Sequence, residues 1–355
     1  MAKLRVSEVE PGMILLDDVF DENDILLIGA DTELSDNHID FLKRKMIFEV
    51  NISSKGNSEE IQNSEKSAYR IPKEAPSDVE EKYRSTVVKF KSIYTEFRLG
   101  RVPIYQEIDD ALEPLYEAIL NDDHFTRKMW QIHAYDDYTF DHSVRVSMIS
   151  GLIAKWCGLD DVKIKEAALA GLLHDIGKCN IPDQILNKPT TLTAEEFKVM
   201  KTHAILGYIL IKDIPNISYD VLQGVMQHHE RVDGSGYPNG LKGNEINYLA
   251  KIVAVADVYC AMTQDRVYKK AMHPFEAISY ILEKCHKSLD FSMSKTFLSN
   301  ISHFYIGHKV ILNNEQHGEI IMTYKDDPAR PLVRVGEDYI DLRRHIDIEI
   351  VTMIE

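Results

Sequence analysis

At 355 residues, 44% hydrophobic and 28% charged, the chain has the composition of a globular protein long enough for two or three structural units. Its formal net charge of −16 excludes general binding to DNA, RNA or anionic membranes, though not one small phosphate ligand held by metals and a few local cations. No apolar run reaches the roughly 20 residues that span a bilayer, and the longest, 252–262, is broken by Asp257.

The first ten residues lack the apolar segment of a secretory signal, so the expected compartment is the cytoplasm. Four widely spaced cysteines (Cys157, Cys179, Cys260, Cys285) with no C-x-x-C pair predict isolated thiols.

In chain order, residues 1–52 predict a small α+β domain. A Pro11-Gly12 turn precedes short strands at 14–16 and 25–28, Ser35 caps a short helix over 36–45, and a last strand covers 47–52. Asp17, Asp18, Asp21, Glu22 and Asp24 fit turns and surface better than a calcium loop, because no EF-hand spacing is present. Residues 53–76 are polar and read as a linker. In the segment 77–123, Ser77-x-x-Glu80 is a capping box for a helix to about Arg98, and a second helix covers 104–121. These connecting helices could carry a signal or pair two copies in a homodimer, although their plain amphipathic pattern fits ordinary packing better. The opening domain could meet a regulatory partner.

Residues 124–303 are helical by pattern. Helices are expected at 140–156, in the run ending at Leu173, at 194–212 behind the capping box Thr193-x-x-Glu196, at 219–230, at 248–264, and at 274–289 with Pro274 in the first turn. The segment 304–355 predicts a β subdomain with strands at 310–312, 319–324, 332–335 and 346–350.

Five of the 14 histidines form a pattern in the helical region: His142, His174, His203 and the pair His228-His229, joined by Asp175 and Asp257. Alone, His174-Asp175 fits an ordinary helix end with a capping aspartate. Asp257, inside the apolar segment 252–258, is costly to bury without a cation or metal. Imidazole and carboxylate without thiolate suit iron, manganese or zinc in an open catalytic site. Seven ligands exceed what one ion takes, and two ions about 3.5–4 Å apart sharing a carboxylate perform in-line displacement at phosphorus. Asp175, adjacent to His174, is the natural bridge. After the histidine pair come Glu230-Arg231-Val232-Asp233-Gly234-Ser235-Gly236-Tyr237-Pro238, a glycine-rich loop with one aromatic ring that could approach a base or a phosphate.

The set H…HD…H…HH…D resembles the HD superfamily of metal-dependent phosphohydrolases. The stretch HHE-x-x-DG-x-GYP is similar to the signature of its HD-GYP subfamily, bacterial phosphodiesterases of cyclic di-GMP. The resemblance covers roughly residues 130–290 and includes Tyr138-Thr139, Ile181-Pro182, Leu186 and Lys188-Pro189. It implies a mainly α protein, an HD-type bundle with a dinuclear site between the small N-terminal and C-terminal parts.

By resemblance, His142, His174, Asp175 and Asp257 surround one divalent transition-metal ion. Asp175, His203, His228 and His229 surround the other. Iron or manganese fits best. Lys178 matches a lysine near the scissile phosphate, Arg266 and Lys269 match residues that hold phosphates, and Gly236, Tyr237 and Pro238 would line the substrate. Some family members hold a third ion through a glutamate four residues before the first histidine; here that position is Tyr138. The implied reaction is hydrolysis of cyclic di-GMP to linear pGpG, and on to GMP in a second step, by metal-bridged hydroxide. The alternatives are an HD hydrolase of another nucleotide, such as a mixed cyclic dinucleotide, and a non-catalytic cyclic di-GMP sensor.

Overall fold

The run that carries His174 and Asp175 is a helix because its second half, 167–173, is alanine and leucine around Gly171, and Asp160 caps its start by accepting from Lys163 N at 2.9 Å. In the computed structural model of the chain this helix, Asp161–Leu173, lies at the centre of the larger of two units, with Ile164 and the segment 167–173 buried. The structure describes residues 78–121, 138–264 and 271–354, and before residue 54 the positions 2–16, 19–20, 26–28, 34, 39, 42–43, 47 and 49–53.

The smaller unit, Met1–Pro72, is built on an antiparallel sheet of β1 (Ala2–Arg5), β2 (Ile14–Leu15) and β5 (Glu49–Ser53) in the order β1-β5-β2. Leu4 pairs with Val50 and Leu15 with Ile52, so Val50, Ile52 and Leu15 join Val6, Val9, Leu34, Ile39 and Leu42 in a core. A second hairpin pairs β3 (Val19–Phe20) with β4 (Leu26–Ile28). The acidic turn positions Asp17, Asp18, Asp21, Glu22 and Asp24, the cap at Ser35, most of the helix expected at 36–45, the linker and the cap at Ser77 lie outside the described residues.

The larger unit spans Lys73–Glu355. It begins with α1 (Asp78–Arg98) and α2 (Tyr105–Asn121). There follow α3 (Tyr138–Trp156), α4 (Asp161–Leu173), a 3-10 turn over Ile176–Asn180 and the short α5 (Asp183–Leu186). The remaining helices are α6 (Ala194–Lys201), α7 (His203–Ile211), α8 (Tyr219–Gln227), α9 (Tyr248–Thr263), α10 (Pro274–Lys284) and α11 (Phe291–Ile301). A sheet of β6 (Lys309–Leu312), β7 (His317–Met322), β8 (Leu332–Val335), β9 (Asp338–Asp341) and β10 (Ile350–Ile354) closes the chain in the order β10-β6-β7-β8-β9. One hydrophobic core runs from Val79 on α1 to Ile350 on β10, so the connecting helices and the sheet share the interior of the bundle.

The helices expected over 219–230 and 274–289 end at Gln227 and Lys284, the strand expected at 319–324 lies at His317–Met322, and two further boundaries differ from expectation. The helix expected over 194–212 breaks at Thr202, where α6 ends and α7 starts, and this places His203 at a helix start. The strand expected at 346–350 begins only at Ile350. Before it, Arg330 donates to the carbonyls of Leu342, Ile346 and Ile348, and Asn313 Nδ2 donates to the carbonyl of Asp347, so this backbone is held as a turn.

Candidate metal centre

Helix ends bring most of the histidines together. His174 ends α4, His203 opens α7 and His228 ends α8, while His142 and Asp257 project from within α3 and α9. Asp175, Asp257 and every one of these histidines are buried; His229 is half-buried. Asp175 makes no side-chain capping bond, so it is not the helix cap that a plain reading of the dipeptide suggests.

The side chains fall into two groups, each with ligand atoms within 4.8 Å of one another: His142, His174 and Asp257, and Asp175, His203, His228 and His229. Asp175 touches both groups. Its Oδ2 lies 3.1 Å from His174 Nε2 and its Oδ1 lies 3.4 Å from His203 Nε2. Asp257 Oδ1 is 3.1 Å from His142 Nε2 and 4.0 Å from His174 Nε2, and its Oδ2 is 4.0 Å from His229 Nδ1.

Proton positions follow from the partners. His174, His203 and His228 each have Nδ1 at 2.7 Å from the carbonyl three residues earlier, of Gly171, Met200 and Val225. A carbonyl only accepts, so each Nδ1 donates and each Nε2 turns inward. Burial pushes the His203 and His228 imidazoles below their ordinary pKa, the latter well below, and it pushes His229 down to about 3. His203 Nε2 and His228 Nε2, 3.2 Å apart, are therefore two lone pairs face to face. Burial also pushes His174 down, but Asp175 outweighs it and leaves that imidazole above its usual value. Burial opposes charge on both aspartates. For Asp175 the neighbours His174 and Lys178, and for Asp257 the neighbours His142 and His174, prevail and hold the carboxyls well below the usual range.

Acceptors converging on one interior point are costly unless a cation lies between them. His174 Nε2 and Asp175 Oδ1 are fully buried and form no hydrogen bond. Imidazole nitrogens with carboxylate oxygens are the donor set of a divalent transition metal in a catalytic site, so the cluster is compatible with divalent metal binding.

Lys178 is a cation beside the cluster: its Nζ donates to Asp175 Oδ2 at 2.6 Å, and its side chain is 27% exposed. The turn that carries it approaches α7 so closely that a Cβ on Gly177 would sit 2.0 Å from His203 O and 2.4 Å from Gly207 N. Only glycine permits that contact, which lies at the start of the helix that His203 opens.

Glu230 takes a role the sequence pattern does not reveal. Its buried carboxylate accepts from Asn239 N at 2.7 Å and Leu241 N at 3.0 Å, and Tyr237 N donates to His229 O at 3.2 Å. The loop 231–241 is thereby folded back over the histidine pair. Gly236 lies against backbone, where a Cβ would meet Arg231 N at 2.4 Å. The Tyr237 ring lies 4.6 Å from the His229 ring, centroid to centroid, and Pro238 follows it through a cis peptide bond. Arg266, Lys269 and the side chain of Tyr138 lie outside the described residues. Among the described residues no helix is long and apolar enough to cross a membrane.

Comparison with known proteins places this geometry in a family. An HD domain model matches residues 125–292. A curated cyclic di-GMP phosphodiesterase of Pseudomonas aeruginosa is 34% identical over 263 residues, which cover 71% of this chain and 63% of that protein. A 3′3′-cGAMP-specific phosphodiesterase of Vibrio cholerae is 35% identical over 160 residues, covering 45% of this chain and 34% of that protein. The chain thus spans less than two thirds of either relative's length. Among solved structures, an HDG"Y"P protein from Bdellovibrio bacteriovorus shares the fold, with a TM-score of 0.54 and 17% identity over 83% of this chain and 97% of that one. By this match and by its HHE-x-x-DG-x-GYP stretch, the chain belongs to the HD superfamily, in its HD-GYP group.

Proposed function

We propose that the protein is a metal-dependent phosphodiesterase that hydrolyses cyclic di-GMP to linear pGpG. In this reading His142, His174, Asp175 and Asp257 hold one divalent ion, and Asp175, His203, His228 and His229 hold a second. Iron or manganese suits these ligands best. The observation that carries the proposal is the position of Asp175, whose two oxygens face histidines of both groups.

When bound, such an ion pair lowers the pKa of water towards 7 and offsets charge on phosphoryl oxygens. The chain's own residues do the rest. The backbone carbonyls behind His174, His203 and His228 fix each ring with Nε2 inward, so the ligands need not reorganise. Lys178, fixed by Asp175, meets the negative charge that grows on the phosphate. Arg266 would grip a phosphate in a fork, with Lys269 as a mobile point charge. Gly236, Tyr237 and Pro238, folded over His229, would form the wall against which the dinucleotide lies. A cyclic dinucleotide substrate implies a cytoplasmic protein. The unit before residue 54 and the exposed apolar residues Val88, Leu99, Val102 and Ile104 around α1 and α2 are where a regulatory partner or a second copy would act.

A second reading, hydrolysis of a mixed cyclic dinucleotide, is favoured by the similarity to the cGAMP-specific relative. Anaerobically purified protein loaded with manganese or iron should convert cyclic di-GMP to pGpG faster than it cleaves 3′3′-cGAMP. The reverse preference would support the second reading. Tight binding of either nucleotide without linear product would instead identify a sensor.

A further inference from the structure

A line of directed hydrogen bonds reaches His142 from the side away from the metal cluster. Its Nδ1 lies 2.9 Å from Gln264 Oε1, at the end of α9. The Gln264 amide nitrogen donates to Asp141 Oδ2 at 2.7 Å. Asp141 also accepts from Arg145 Nε at 2.9 Å and from the Tyr83 hydroxyl on α1. Asp141, Gln264 and Tyr83 are all buried.

The direction of each bond is fixed by chemistry. A carboxylate only accepts, so the amide turns its nitrogen to Asp141 and its oxygen to His142. An amide oxygen also only accepts, so His142 Nδ1 carries a proton, and Nε2 is the nitrogen turned to the cluster, 3.1 Å from Asp257 Oδ1. His174, His203 and His228 obtain the same tautomer from a carbonyl of their own helix. His142 alone among these four obtains it from a side chain 122 residues away.

We propose that Gln264 and Asp141 are positioning residues that set the tautomer and direction of His142 as a metal ligand, with Tyr83 and Arg145 holding Asp141 in place. This rests on reading the cluster as a metal centre. Tyr83 stands on a helix outside the segment matched by the HD domain model, so α1 takes part in shaping the half of the centre built on His142, His174 and Asp257. Activity is a poor readout here, because Gln264 precedes Arg266 and Lys269 closely in the chain, so metal binding is the quantity to measure.

The test is titration of chelator-stripped full-length protein with Mn²⁺, followed by calorimetry, for wild type, Gln264→Met, Tyr83→Phe and, as a marker of the affected half, His142→Ala. The expected result is that Gln264→Met weakens the step abolished in His142→Ala by about 10–100-fold, the range for lost outer partners of metal ligands, and leaves the other step unchanged. Tyr83→Phe, which keeps the ring in the core, should weaken the same step by less. If both steps are unchanged in Gln264→Met, or if both weaken alike together with the melting temperature of the stripped protein, the positioning role is overturned. If the wild type binds no Mn²⁺, the metal-centre reading falls, and this proposal with it.

Discussion

His203 Nε2 and His228 Nε2 face each other at 3.2 Å, each with its Nδ1 proton committed to the carbonyl three residues before it. Two neutral imidazoles in this arrangement repel unless something positive lies between them. The fold imposes the arrangement through helix ends packed tightly together, and its consequences can be measured one residue at a time.

Gly177→Ala should damage the centre without altering any ligand. The added methyl would lie 2.0 Å from His203 O, so the turn 176–180 and α7 must separate. Overpacking of this kind costs about 1–3 kcal/mol. Thermal melting should register that loss, and metal titration should show weaker binding at the group containing His203. Unchanged metal affinity would mean that this close approach does not position His203.

Glu230→Ala removes the acceptor of two backbone N–H groups, from Asn239 and Leu241. A hydrogen bond to a charged acceptor contributes about 1.5–3 kcal/mol, so without these two the loop carrying Tyr237 should lose its fixed place. Steady-state kinetics on cyclic di-GMP should show KM rising by roughly tenfold or more, since about 1.4 kcal/mol corresponds to a factor of 10, with metal content retained. A variant whose KM is unaltered would exclude this loop from the substrate site.

Lys178→Met should keep both metals and lose rate. The side chain is not among the clustered ligands but donates to Asp175 Oδ2, the oxygen 3.1 Å from His174 Nε2, and one charge-stabilising donor is worth on the order of 10²–10³ in kcat. Elemental analysis beside kcat separates this from a ligand role: loss of metal in proportion to rate would make Lys178 a structural support of Asp175.

Acid should destabilise the chelator-stripped protein. His203, His228 and His229 are held by burial below their ordinary pKa, so below about 6.5 the unfolded chain binds protons that the folded chain refuses. Each histidine so held removes up to about 1.4 kcal/mol of stability per pH unit until its folded pKa is reached. Asp175 and Asp257, with depressed pKa values, add stability that is present above the ordinary carboxylate pKa and lost as pH falls through their folded values. His174, raised, acts the other way, with stability that is full below 6.5 and lost as pH rises through its folded pKa. Three histidines outnumber one, so the melting temperature should fall from about pH 6.5 to 5. A flat profile there would contradict neutral burial of these rings.

The parts of this molecule legible in the sequence are those in which a local pattern carries the information. The apolar helices, the capping box at Thr193 and the spacing of the histidines are of this kind, as is Asp257, conspicuous because nothing in its own helix compensates it. Gln264 and Asp141 were not legible, since they meet across 123 residues and neither departs from an ordinary helix pattern. Glu230 was visible beside the histidine pair, but its work of holding the loop depends on backbone groups nine and eleven residues later. The displaced last strand has the same origin, because the Arg330 bonds that turn the segment before Ile350 join residues up to 18 apart.

The central claim is a pair of divalent ions bridged by Asp175, acting on cyclic di-GMP. Its most direct test is elemental analysis with product chromatography on anaerobically purified wild type and Asp175→Ala. The account predicts two iron or manganese ions per chain and pGpG as product for the wild type. In the variant it predicts loss of metal and a fall in rate of about three orders of magnitude or more. An Asp175→Ala protein that retained both metals and its hydrolysis would contradict it.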